Sequence, residues 1–146
     1  MRAVISGKDF PEQFETEVRG WADVTAHAHR FGGTEFRYGR AEIGHIHREG
    51  TLDIPFPRVI RDELLARGAA EEHHFVPDSG WATFRMRRGD DLKRGLWLMR
   101  ISYLRYALKH AEEPEALFER EAAALQLDAK LREMLAKFVP TSATHA

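Results

Sequence analysis

Three segments of alternating apolar and polar residues lie between residues 24 and 47, at 24–31, 34–38 and 41–47. Alternation with a period of two is typical of strands that bury one face. Only two residues separate each segment from the next, and a parallel crossover needs a dozen or more. The region therefore predicts a three-stranded antiparallel meander. Gly44, inside the third strand, predicts a bulge or the close approach of another backbone.

Two further strands are expected at 72–76 and 81–86. They flank the sequence PDSG at 77–80, where proline presets one dihedral angle and glycine accepts positive φ, so a tight turn is predicted. Ser79 is interpreted as part of this turn, because the nucleophile elbow of a hydrolase would need glycines on both sides of the serine and a turn from a strand into a helix. The segment LDIPFP at 52–57 contains two prolines and is interpreted as a connector.

Four segments carry apolar residues at helical spacing, at 9–21, 58–67, 90–110 and 115–138. Repeats of three and four residues place such side chains on one face of a helix. The second segment is predicted to turn Val59, Ile60 and Leu64 inward and to end at Gly68, a residue suited to the position after a helix. Pro114 separates the third segment from the last, which is predicted to be one amphipathic C-terminal helix.

The resulting order of elements is αβββαββα followed by the C-terminal helix. Strands joined by hairpins cannot form βαβ crossovers, which argues against a doubly wound nucleotide-binding fold. We therefore expect an α+β fold, in which an antiparallel sheet of about five strands has helices packed on one face. A chain of 146 residues has the length of one domain, so 1–146 is predicted to be a single unit.

Composition narrows the classes of function. The chain has no cysteine, which excludes disulfides, thiolate catalysis and cysteine-ligated metal sites and suits a cytoplasmic location. The N-terminal sequence lacks the apolar core of a secretion signal, and no apolar run reaches the roughly 18 residues of a membrane span. The net charge of −1 argues against a protein that binds nucleic acid by charge alone.

Six of the eight histidines fall between residues 27 and 74. His45 and His47 are two apart on a predicted strand, so their side chains share a face, as do those of His27 and His29. Two such imidazoles can reach one divalent metal ion, given a third ligand from elsewhere. The candidates for that ligand are His73, His74, Glu35 and Asp53. Alternatively, the histidines line a partly hydrated sheet face and form hydrogen bonds to neighbouring acids.

Two arginines are candidates for binding an anion. Arg37 and Arg85 each follow a phenylalanine on a predicted strand, so the guanidinium points to the face opposite the aromatic ring. An arginine on an open sheet face can bind a carboxylate or phosphate through two parallel hydrogen bonds. The alternative is a solvated ion pair with a glutamate on a neighbouring strand.

Four stretches together carry a family resemblance: HRFGGTEFRYGRAEIGHIH, LDIPFP, EEHHFVPDSGWATFRM and LMRISYLRYA. They resemble the small domain family labelled luciferase or luciferase-like, over about residues 18–108, and residues 109–146 fall outside it. The resemblance implies no particular reaction. Nothing in the chain is similar to the barrel that holds reduced flavin or to the loops that bind ATP. The element order is also similar to that of the YjbR/MmcQ-like domains, which implies at most a contact with nucleic acid or protein.

Three functions remain open, and the sequence does not decide whether the protein is an enzyme. The first is a binding module whose sheet face holds a small anionic ligand or a protein partner, through Arg37, His45, His47, His74 and Arg85. The second is a metal-dependent or acid–base enzyme that uses His45 and His47. The third, nucleic-acid binding by analogy with the YjbR-like domains, is disfavoured by the charge. The apolar stripe of the C-terminal helix would suit either its own domain or a homodimer.

Overall fold

The computed structural model describes residues 10–29, 32–73, 76 and 79–141. Within these ranges the chain forms five helices and six strands, in the following order: α1 (Phe10–Arg19), β1 (Val24–Ala28), β2 (Thr34–Tyr38), β3 (Ala41–Ile46), β4 (Thr51–Pro55), α2 (Arg58–Ala66), β5 (Glu71–Glu72), β6 (Trp81–Arg85), α3 (Asp91–His110), α4 (Pro114–Ala124) and α5 (Ala129–Ala136). No helix in the described part of the chain combines the length and the apolar composition that crossing a membrane requires.

The six strands form one sheet in the order β1-β2-β3-β4-β6-β5, and every neighbouring pair is antiparallel. The first four strands follow one another as a meander. The chain then leaves through α2 and returns as the β5–β6 hairpin, with β6 next to β4. The α+β class and the antiparallel sheet are confirmed, with six strands in place of about five.

The additional strand is β4. The prediction of a connector over 52–57 is wrong, because Thr51–Pro55 pairs with β6 along its whole length and with β3 at two positions. A proline lacks the N–H that a residue in a central strand donates to a neighbouring strand. Pro55 is compatible with β4 because it is the last residue of the strand, beyond the positions that pair with β3. Its carbonyl accepts a hydrogen bond from Arg105 on α3, at 2.6 Å.

The core lies between the sheet and the helices. On α1, Phe10, Phe14 and Val18 recur every four residues and are fully buried. The long helix α3 contacts β3, β4 and β6. Its Ser102 is also fully buried, and the hydroxyl donates to the carbonyl of Ile43 on β3 at 2.8 Å. This hydrogen bond compensates the burial of two polar groups where α3 crosses the sheet.

Two predictions about the helices are corrected by the structure. Val59 is 54% exposed and does not face the core, whereas Ile60 and Leu64 are buried as predicted. The C-terminal segment 115–138 forms two helices, α4 and α5. Gln126 adopts a positive φ of 52° between them, and the Asp128 side chain caps α5 by accepting a hydrogen bond from the backbone N–H of Leu131. Residues of both helices reach the shared core cluster.

Candidate functional site

One row of polar residues crosses all six strands. Each member pairs directly with the next across the sheet, in the order His27, Glu35, His45, Asp53, Thr83 and Glu71. The residues adjacent to the row along the strands, such as Phe36, Leu52 and Phe84, are buried in the core. Because side chains alternate along a strand, the row lies on the sheet face opposite the helices. The antiparallel pairing therefore assembles titratable groups that are far apart in sequence.

A β-bulge brings Glu42 to the same face as His45. The register between β2 and β3 shifts between Phe36, which pairs with Gly44, and Arg37, which pairs with Glu42. Without the bulge, residues three apart on a strand would point to opposite faces. Here His45 Nδ1 lies 2.7 Å from Glu42 Oε2.

Gly44 makes this bulge compatible with the core. Its φ is +152°, and an added Cβ would lie 2.6 Å from Cε of Met99 on α3. The predicted bulge is confirmed. The nearest neighbour is the side chain of Met99 and not a second backbone, since the closest backbone atom, the carbonyl oxygen of Asp53, lies 3.3 Å from that Cβ position.

Asp53 is the centre of the cluster. Its Oδ2 atom lies 2.7 Å from His47 Nε2 and 3.3 Å from His45 Nε2. Its Oδ1 atom accepts a hydrogen bond from Thr83 Oγ1 at 2.6 Å, and His73 Nε2 lies 3.6 Å from the same oxygen. The Asp53 carboxylate on β4 is thus shared by His45 on β3, by His47 just after β3 and by the hydroxyl of Thr83 on β6.

The pKa values of the cluster follow from these contacts. Burial by itself lowers the pKa of His45, but the hydrogen bonds to Asp53 and Glu42 outweigh burial and raise it to about 9. Burial favours a raised pKa for Asp53, and the hydrogen bonds from His45, Thr83 and His47 instead hold it well below its usual range. The pKa of His29 is lowered by burial and then by the charge of His45, on which its ring stacks at 4.0 Å.

A pocket of about 780 Å³ opens over the cluster. Its lining includes His45, His47, Asp53, Trp81, Val76 and Arg85. The indole ring of Trp81 lies 5.5 Å from the ring of His45, centroid to centroid. The site is therefore concave, with titratable groups in its floor and an apolar wall beside them, as small-molecule sites commonly are.

The structure brings together three of the five residues predicted to bind a ligand. His45 and His47 share a face and converge on Asp53, and Arg85 lines the same pocket. Arg37 does not line it; its Nε donates to Glu35 Oε2 at 2.6 Å. This is the ion-pair alternative, although the two residues lie on the same strand. His74 lies outside the described residues.

Other residues of the cluster carry weaker sequence signals. Asp53 is one of four candidate third ligands, and nothing in the sequence singles out Thr83 or Glu42. Regular strand alternation would even place Glu42 on the face opposite His45, so Gly44 is the only local signal of their contact. Ser79 behaves as a turn residue, since its hydroxyl donates to the carbonyl of Val76 at 2.6 Å.

Fold and site together define a small α+β domain with a histidine–carboxylate pocket on the open face of an antiparallel sheet. The family model described as Luciferase domain matches residues 40–102 of this chain. The match confirms the resemblance to the luciferase-like family over that segment, which contains Glu42, His45, His47, Asp53 and Thr83. No curated protein and no solved structure matches the chain. The similarity to the YjbR/MmcQ-like domains stays a prediction.

Proposed function

We propose that this protein binds a divalent transition-metal ion in the sheet pocket and that the ion holds a small anionic ligand there. The main support for this proposal is the convergence of His45, His47 and Asp53, whose candidate ligand atoms lie within 4.8 Å of one another. Two imidazole nitrogens and one carboxylate oxygen are a donor set that zinc and non-haem iron(II) proteins use. Three protein ligands leave coordination positions open toward the pocket.

The surrounding contacts orient the donors for this role. Glu42 engages Nδ1 of His45, which directs Nε2 toward Asp53, and Thr83 occupies Oδ1 of Asp53, which leaves Oδ2 for the ion. Metal-binding histidines commonly have a carboxylate on the second ring nitrogen, and such partners fix the orientation of the ligand. Ligation requires neutral imidazoles, so the ion displaces the protons that the histidines share with the carboxylates.

Metal titration tests the proposal. Protein produced without a histidine tag and stripped with a chelator is titrated with Zn²⁺ or Co²⁺. We expect one ion per chain, and we expect His47→Ala to weaken binding by more than the roughly 10- to 100-fold typical of losing an outer partner. The matched control is His27→Ala, because His27 is an exposed histidine on the same face whose ring contacts the hydroxyl of Thr25. Circular dichroism establishes that each variant is folded.

Glu42→Gln separates a metal site from a hydrogen-bonded network without metal. The amide keeps the size of the side chain but no longer stabilises the orientation and basicity of His45, so we expect metal affinity to fall by roughly 10- to 100-fold. Glu35→Gln is the control, because Glu35 pairs with Arg37. Folded wild-type protein that binds neither ion would overturn the proposal. So would equal losses in the His27→Ala and His47→Ala variants.

A further inference from the structure

Strand β6 divides the pocket into three zones. Trp81, Thr83 and Arg85 alternate along the open face, and Thr83 pairs with Asp53 at the level of the cluster. Two residues along a strand span about 7 Å. The proposed metal position therefore lies between an indole on one side and a guanidinium on the other.

The first zone is flat and apolar. The ring of Trp81 lies 6.0 Å from that of His73, in addition to its contact with His45. Val76 lines the same pocket and is 42% exposed. An aromatic face beside an exposed aliphatic side chain suits a flat ring or a conjugated chain, because such groups gain both apolar burial and stacking there.

The opposite zone carries one positive charge. Arg85 donates from Nη1 to Glu71 Oε2 at 2.8 Å, and its side chain remains 38% exposed. A guanidinium has five N–H donors, so the pair with Glu71 leaves capacity for a carboxylate. Glu49 also lines the pocket, and a second negative charge on the ligand would meet this glutamate. The charges therefore favour a monoanion.

From this arrangement we infer that the ligand is a small, flat monocarboxylic acid with an aromatic or conjugated apolar part. Its carboxylate lies between the metal ion and Arg85, and its apolar part lies along Trp81 and Val76. The inference rests on the metal site proposed above and adds the class of ligand that completes it.

Binding of simple acids to the Co²⁺-loaded protein tests the ligand class. The probes are benzoate and cinnamate, compared with acetate, which lacks the ring, benzamide, which lacks the charge, and phthalate, which carries two charges. We expect the two aromatic monocarboxylates to bind at least 10-fold more tightly than the other three and to change the visible spectrum of the cobalt ion. Calorimetry supplies the affinities.

Matched variants locate the two ends of the ligand. Arg85→Gln should weaken benzoate binding at least 10-fold and leave Co²⁺ affinity unchanged. Arg88→Gln is the control, because Arg88 is exposed on the loop after β6 and lines a neighbouring groove, which Arg85 also borders, but not the pocket over the cluster. Trp81→Leu should abolish the preference for benzoate over acetate. Equal effects of the two arginine variants would overturn the inference.

The same measurements separate this inference from the metal proposal. Protein that binds Co²⁺ but shows no preference for aromatic monocarboxylates overturns the ligand class and leaves the metal site standing. Protein that binds no Co²⁺ but binds benzoate, with binding lost in Arg85→Gln, overturns the metal site and supports the ligand class. Binding of neither ion nor acid overturns both.

Discussion

Gly44 determines where two charged side chains of the cluster point. Its positive φ belongs to the bulge that puts Glu42 on the face of His45, and its missing Cβ leaves room for Met99. A single residue without a side chain thus couples the packing of α3 to the geometry of the pocket. Conformations of this kind are found at functional sites, where the surrounding structure holds them in place.

Gly44→Ala should destabilise the fold by about 1–3 kcal/mol, since alanine would have to adopt the positive φ and displace Met99. Urea unfolding measures the change. Gly39→Ala is the control. Gly39 also has a positive φ, 61°, but among the described residues beyond its immediate chain neighbours no atom lies within 4 Å of the added Cβ position, so only the backbone contributes. Equal losses in the two variants would show that the contact with Met99 is unimportant.

Among the elements, the short α5 depends on Asp128, the residue that precedes it and forms its N-cap. Asp128 accepts a hydrogen bond from Leu131 at the start of this helix and another from Arg67, just after α2, at 2.6 Å. The side chain therefore caps one helix and links it to a second that is distant in sequence. This dual role explains why 115–138 forms two helices: the chain turns at 125–128 so that α5 can pack near α2.

Asp128→Asn should lower stability at neutral pH, because asparagine keeps the cap but loses the charge that pairs with Arg67. The hydrogen bond from Arg67 lowers the pKa of Asp128 in the folded state. A lowered folded-state pKa adds stability above the ordinary carboxyl pKa of about 3.9, and this stability is lost as the pH falls through the folded-state value.

The difference in melting temperature between the wild-type protein and Asp128→Asn should therefore be present at pH 7 and shrink as the pH falls below the ordinary carboxyl pKa of about 3.9 and through the lower folded-state pKa of Asp128. Asp90→Asn is the control, because Asp90 precedes α3 without forming a side-chain cap. A difference that stays constant across this pH range would contradict the ionic contribution.

For the whole molecule, the sheet and all five described helices contribute to one cluster of buried residues. Trp97 on α3 also donates from its indole nitrogen to the carbonyl of Leu125, between α4 and α5. The C-terminal helices are thus attached to the part of the chain that the family model matches. The described residues therefore share one core, and a single domain over residues 1–146 stays a prediction.

Unfolding by urea should accordingly be one cooperative transition. We expect tryptophan fluorescence and far-ultraviolet circular dichroism to give the same midpoint, because Trp97 reports on the C-terminal helices and Trp81 on the pocket. Different midpoints for the two signals, or two transitions in either signal, would instead indicate that 114–136 unfolds as a separate unit.

The sequence alone determined the features that depend on near neighbours along the chain. Alternation predicted the meander and the shared face of His45 and His47, and helical spacing predicted the buried stripe of α1. The tertiary structure decided that β4 lies between β3 and β6, and with that the contacts of Asp53. Tertiary contacts also make residues 51–55 a strand, β4, and give two helices, α4 and α5, in the C-terminal segment 115–138. Periodicity reflects which face of an element is buried. The pairing of strands that are distant in sequence and the packing of helices depend instead on contacts between residues far apart in the chain, and no local pattern encodes those contacts.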